Sequence, residues 1–165
     1  MLIPRLTEPR TILSTVDEVR IAATTVALSA QRVLTLLTHS LESEIYEYPP
    51  FIDAVKRLVL GPRFAKVRVL VLNPARIMYS RHEFIAIARK LTSYIEIRNA
   101  LSPFRDNPCS YMIADDQATL YRLQATRWDG ICELRNPAVA RLHHEHFDEG
   151  WNESGTPRAP AALQS

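Results

Sequence analysis

Of 165 residues only two, Cys109 and Cys132, are cysteine. Two isolated thiols do not make a zinc or dithiol redox spacing, and free thiols fit a reducing compartment. No apolar run reaches the length that crosses a bilayer, so no membrane partner is expected. The opening MLIPRLTEPR lacks the basic-then-apolar order of a secretory signal, and the reading is a cytoplasmic chain. The formal charge of +2 does not by itself argue for nucleic acid. There is no internal repeat and no cofactor motif, so no cofactor is expected.

Present instead is an ordinary globular composition, long enough for one domain with a sizeable core. Residues 1–154 read as that domain. Residues 155–165, without large apolar anchors, read as a flexible tail.

Thr15 with Glu18 forms a capping box and predicts a helix from Val16 to Ala30. RVLTLLTHS (32–40) is a short apolar strand of the kind covered on both faces. FIDAVKRLVLG (51–61) predicts a helix ended by Gly61, and KVRVLVLN (66–73) a second buried strand. Ser80 with Glu83 makes another capping box, with Phe84, Ile85, Ile87, Ala88 and Leu91 inward. YIEIR (94–98) alternates as a third strand. Three strand-like pieces follow, at 110–114, 118–123 and 128–134, the first two a hairpin across Asp115-Asp116-Gln117. Asn136 caps and Pro137 opens a last helix with Val139, Leu142, His143, His146, Phe147 and Trp151 on one face. The expected fold is α/β: a mixed, mainly parallel sheet with helices on both faces and a C-terminal antiparallel hairpin.

This order of elements, with SYMIADDQATLYR at the hairpin and NPAVARLHHEHFDEGWNES as closing helix, resembles one half of the phospholipase D superfamily. The resemblance implies a motif His-x-Lys, then four residues, then Asp, in which the histidine attacks phosphorus. Set on Asp116, the histidine and lysine positions fall on Cys109 and Tyr111; set on Asp115, on Pro108 and Ser110. Neither register supplies a histidine or lysine. The resemblance therefore implies the hairpin frame without the nucleophile: a catalytically inactive domain serving as an anion- or phosphate-binding or scaffold module. Because the family's site is built from two halves, it also implies a homodimer. The competing reading is a phosphodiesterase whose nucleophile has moved to His82 or His39.

Residues expected at the carboxyl edge of the sheet are the candidate anion site: His39 ending the first strand, His82 in the first turn of a helix, Arg98, Arg122, and Asp115 or Asp116. Arginine suits oxyanions through its two-pronged fork. A phosphate-containing ligand is the matching partner. HHEHFDE (143–149) offers imidazoles, but His143 and His146 share the stripe of Phe147 and Trp151 and read as packing. The cations at Lys56, Arg57, Arg63, Lys66, Arg68, Arg89 and Lys90 read as solvated surface, with a small patch at Arg63, Lys66 and Arg68; nucleic acid is the minor reading. Apolar loop residues Ile45, Tyr46, Tyr48, Ile77, Met78, Tyr79 and Trp128 are expected at the dimer interface.

Overall fold

In the computed structural model, residues 10–77 and 81–154 are described. The strands are β1 (Arg10–Leu13), β2 (Val33–Thr38), β3 (Lys66–Val71), β4 (Ile95–Asn99), β5 (Ser110–Ala114), β6 (Ala118–Arg122) and β7 (Gly130–Glu133). The helices are α1 (Val16–Ser29), α2 (Ser43–Tyr46), α3 (Pro49–Val59), α4 (Glu83–Lys90) and α5 (Pro137–Glu153). The strands form one sheet in the order β1-β7-β6-β5-β2-β3-β4.

Local chemistry sets most boundaries. Thr15 Oγ1 accepts the Glu18 N–H at 3.2 Å, and Glu18 Oε1 accepts the Ser14 and Thr15 N–H groups at 2.7 and 3.2 Å. Asn136 Oδ1 accepts the Val139 N–H, with Pro137 supplying the pre-set φ of the first helical position. Pro49 and Pro50 open α3, two residues before the expected start at Phe51, where an absent N–H costs nothing. The tail from 155 and Ser80, the expected cap of the helix that became α4, lie outside the described residues. The N-cap of α4 is His82.

Helices do cover both faces. α1, α2, α3 and α4 pack over one face around Phe51, Val67, Val69, Phe84 and Met112. α5 covers the other through Ala140, Phe147 and Trp151, against Leu37, Leu70, Tyr111 and Ile113. Leu142, expected inward on α5, is exposed. Gly150 has a packing reason: a Cβ there would meet the Phe104 ring at 2.4 Å, so the missing side chain is the space that the ring occupies.

The expectation of a mainly parallel sheet is corrected. Only β2–β3 and β3–β4 run parallel, while β1–β7, β7–β6, β6–β5 and β5–β2 are antiparallel. β5 enters beside β2 in the opposite sense, Leu37 opposite Tyr111 and Leu34 opposite Ala114, and the meander β5-β6-β7-β1 extends that sense to the edge. Its inner strands β5 and β6 are almost wholly buried, so they carry the same apolar runs as parallel ones.

Candidate functional site

The carboxyl ends of β2 and β3 meet the start of β5 and the end of β6. Thr38, the last residue of β2, is buried; its Oγ1 accepts the Leu41 N–H at 3.0 Å and lies 3.2 Å from Glu42 Oε1. Leu41 takes a left-handed φ of 53°, which turns the chain so that Glu42 faces back over the sheet. There Glu42 Oε2 pairs with Arg122 Nη2 at 2.5 Å. Arg122 is 2 % exposed and also donates to the carbonyls of Arg127 and Ala125 at 3.0 and 3.4 Å. Its guanidinium lies 4.7 Å from the Trp128 ring centre. Ser110 Oγ donates to Leu37 O at 3.1 Å and sits 3.4 Å from Arg122 Nη2. Arg122 is thus a clamp between two loops and two strands, with its donors already engaged.

His82 is held in the same way. Its Nδ1 accepts the Phe84 N–H at 3.2 Å, so Nε2 carries the hydrogen and donates to Leu41 O at 2.8 Å. Both ring nitrogens of this buried histidine are bound to backbone. His39 donates from Nε2 to Asn107 O at 3.0 Å. On the α5 side, His146 Nε2 donates to Asn107 Oδ1 at 3.2 Å, and Tyr111 Oη donates to His146 Nδ1 at 2.7 Å. The chain His39–Asn107–His146–Tyr111 was not legible in the sequence, because Asn107 lies in a loop whose partners are 68 and 39 positions away.

The remaining candidates lie elsewhere. Arg98 is on the α5 face, 4.1 Å over the Trp151 ring, bonded to Glu96 and to Trp151 O at 2.8 and 3.1 Å. Asp115 and Asp116 sit at the opposite end of the sheet. The antiparallel β5 begins beside Thr38 and runs away from it, which carries the hairpin turn to the amino end of β2. Asp115, at φ 53°, accepts the N–H groups of Gln31, Arg32 and Val33 at 2.9, 2.8 and 3.0 Å. It is a backbone cap tying the hairpin to β2. Asp116 is solvent-exposed, 3.8 Å from His144 Nε2, which donates to Asp115 O at 2.7 Å. His39, His82 and Arg122 therefore share one edge; Arg98 lies near that same end, opposite Leu70, with its side chain turned to α5, and Asp115 and Asp116 lie at the other end.

In either register the place of the family nucleophile carries no histidine. Burial pushes the Cys109 thiol up, opposite to the shift that makes a thiolate nucleophile. Burial also raises Tyr111. Among the described residues no three His, Cys, Asp or Glu side chains are placed to hold a metal ion. The imidazoles of α5 do pack: His143 stacks between Tyr111 and Tyr121, ring centres 5.1 and 4.8 Å away. Of the loop apolars, Ile45, Tyr46 and Ile77 are buried within the fold, and Tyr48 and Trp128 pack against its core. Met78 and Tyr79 lie outside the described residues.

The family model for a domain of unknown function (DUF7931) matches residues 15–159. The chain belongs to that family. No curated protein matches the chain. Among solved structures, the chain resembles Nuc from Salmonella typhimurium, a phospholipase D family member, at TM-score 0.63 and 15% identity, over 89% of this chain and 97% of that one. NucT from Helicobacter pylori superposes at TM-score 0.59 with 11% identity, over 89% and 98% of the chains. TrmBL2, an archaeal chromatin protein with a novel mode of DNA binding, superposes at TM-score 0.63 with 17% identity over 91% of this chain. The chain spans about half, 54%, of the length of TrmBL2. At these identities the likeness establishes the fold: the chain has the phospholipase D-like α/β architecture. Among the described residues no helix is long and apolar enough to cross a membrane.

Proposed function

We propose that this DUF7931 domain is a catalytically inactive phospholipase D-like module that binds a phosphate-containing ligand at the carboxyl edge of its sheet. The observation that carries the reading is that the candidate catalytic groups are consumed internally. Both nitrogens of His82 hold backbone, Arg122 is buried against Glu42, and the buried Cys109 is held as a thiol. A ligand then has to be met by Arg76 and Arg81, exposed cations of a cleft of about 350 Å³ beside Glu42, Glu47 and His82. Glu42 is spent on Arg122, and Glu47 accepts the Glu83 N–H but keeps its charge, so two arginines face one remaining carboxylate in the cleft lining. This moves the anion site from the sequence candidates to their neighbours.

The module works as a homodimer in a reducing compartment. Two free buried thiols favour the compartment. The dimer is supported by an apolar strip that α5 leaves open: Ile12, 68% exposed, its partner Ile131, and Leu123, 66% exposed. It no longer rests on Ile45, Tyr46, Tyr48, Ile77 and Trp128, which are buried in or packed against the core. Sedimentation equilibrium at micromolar concentration gives two chains, and a single-chain mass throughout contradicts the dimer. Calorimetric titration with inorganic pyrophosphate tests the cleft. Saturable heat, lost in R76E/R81E, is expected; no heat up to millimolar pyrophosphate removes the ligand reading.

A further inference from the structure

The amino edge of the sheet carries a second surface that the carboxyl-edge cleft does not use. The β-α-β crossover returns α3 to the start of β3, which pairs with the start of β2, Val33 opposite Lys66. Four exposed cations meet there: Arg32, Arg57, Arg63 and Lys66. The Lys66 N–H donates to Arg32 O at 2.9 Å, and Arg63 Nη1 donates to Gln31 Oε1 at 2.9 Å. Arg57 and Arg63 line one shallow cleft. Arg68, grouped with them from sequence, points to the α5 face and bonds Asp148 and Thr35. Among the described residues none of the four cations makes an ion pair. The nearby Asp115 carboxylate is taken up by three backbone N–H groups.

In the middle of these charges Phe64 is 85% exposed, between Arg63 and Lys66. Arg57 in the last turn of α3 is accounted for by the helix dipole. Arg32, Arg63 and Lys66 are outside helices, and a solvent-facing phenyl ring contributes nothing to the core.

We propose that this edge binds single-stranded nucleic acid, the cations meeting successive phosphates and Phe64 stacking on a base. Three of the four cations are arginines, whose planar fork takes two phosphate oxygens at once. A base offers the aromatic face that a lone exposed ring stacks on, and such stacking tolerates any sequence. A bilayer surface would use the same cations with Phe64 and Leu60 inserted, so it is made an arm of the test. The proposal is independent of the pyrophosphate site: its variants touch the other end of the sheet.

Fluorescence anisotropy of a labelled oligothymidine is measured with the full chain, alongside vesicles containing phosphatidylglycerol. Four phosphate contacts give a log–log salt slope of about −2.8, so affinity falls roughly fiftyfold between 50 and 200 mM salt. R63E/K66E loses more than tenfold. F64A loses roughly tenfold with the salt slope unchanged, the signature of stacking rather than charge. R57Q/R63Q serves if charge reversal disturbs folding, with circular dichroism melting as the control. No binding at 100 μM protein, binding indifferent to these variants, or vesicle binding without oligonucleotide binding overturns the proposal.

Discussion

Replacing Arg122 by Met removes a buried charge and leaves Glu42 behind. Arg122 is 2% and Glu42 15% exposed, and the guanidinium closes four contacts besides the 2.5 Å pair: two loop carbonyls, Ser110 Oγ and the Trp128 face. Methionine fills much of the aliphatic volume, so the loss is chiefly electrostatic. Breaking one side of a buried pair costs about 3–5 kcal/mol, because the remaining charge has lost its partner. For a domain of this size, that lowers the melting temperature by roughly 6–20 °C. Adding Glu42→Gln removes the stranded carboxylate, and the double mutant recovers part of the loss. The full cycle, by urea denaturation of all four proteins, gives a coupling of 1 kcal/mol or more. A single-mutant loss below 1 kcal/mol, or a coupling near zero, refutes the clamp. Arg122 would then be free to serve a ligand, as the sequence first suggested.

Three further outcomes follow from the packing. Phe147→Ala removes a fully buried ring under α5 and costs about 3–5 kcal/mol in urea denaturation; an unchanged midpoint contradicts the docking of α5. Gly150→Ala drives a methyl into the Phe104 ring and lowers the melting temperature, although alanine is the better helix former; a gain in stability contradicts the close approach. Burial between two tyrosines lowers the His143 pKa, with His146 and His144 adding to the shift and Glu133 opposing it. The folded state then binds fewer protons than the unfolded one. The contribution is present above the ordinary histidine pKa of about 6.5 and is lost as pH falls below it. His143→Phe keeps the stack and flattens the acid side of a stability–pH curve; an unchanged curve contradicts the assignment.

Thr15 with Glu18 and Asn136 with Pro137 were legible because a cap is a local interaction within four residues. The hairpin turn was legible for the same reason. β1 was not: four residues carry no usable period, and Arg10–Leu13 becomes a strand only because β7, more than a hundred residues on, offers an edge. Sheet polarity failed at the same kind of distance. A run such as SYMIA is buried on both faces whichever way its neighbour runs, so apolar content cannot report direction. That single error displaced the candidate site. Placing His39, His82 and Arg122 at the carboxyl edge was sound, since each ends or follows a strand pointing there. Asp115 and Asp116 were drawn to the same edge, and the antiparallel entry of β5 sends them to the other.

The central claim is that the hairpin keeps the architecture of a phosphodiesterase without its nucleophile. Turnover of bis-p-nitrophenyl phosphate by the purified chain tests it most directly, with His39→Ala and His82→Ala as companions. Nitrophenol release is expected to be no faster than in buffer and identical in all three proteins. Release well above buffer, abolished by either substitution, contradicts it and returns the missing chemistry to a relocated histidine.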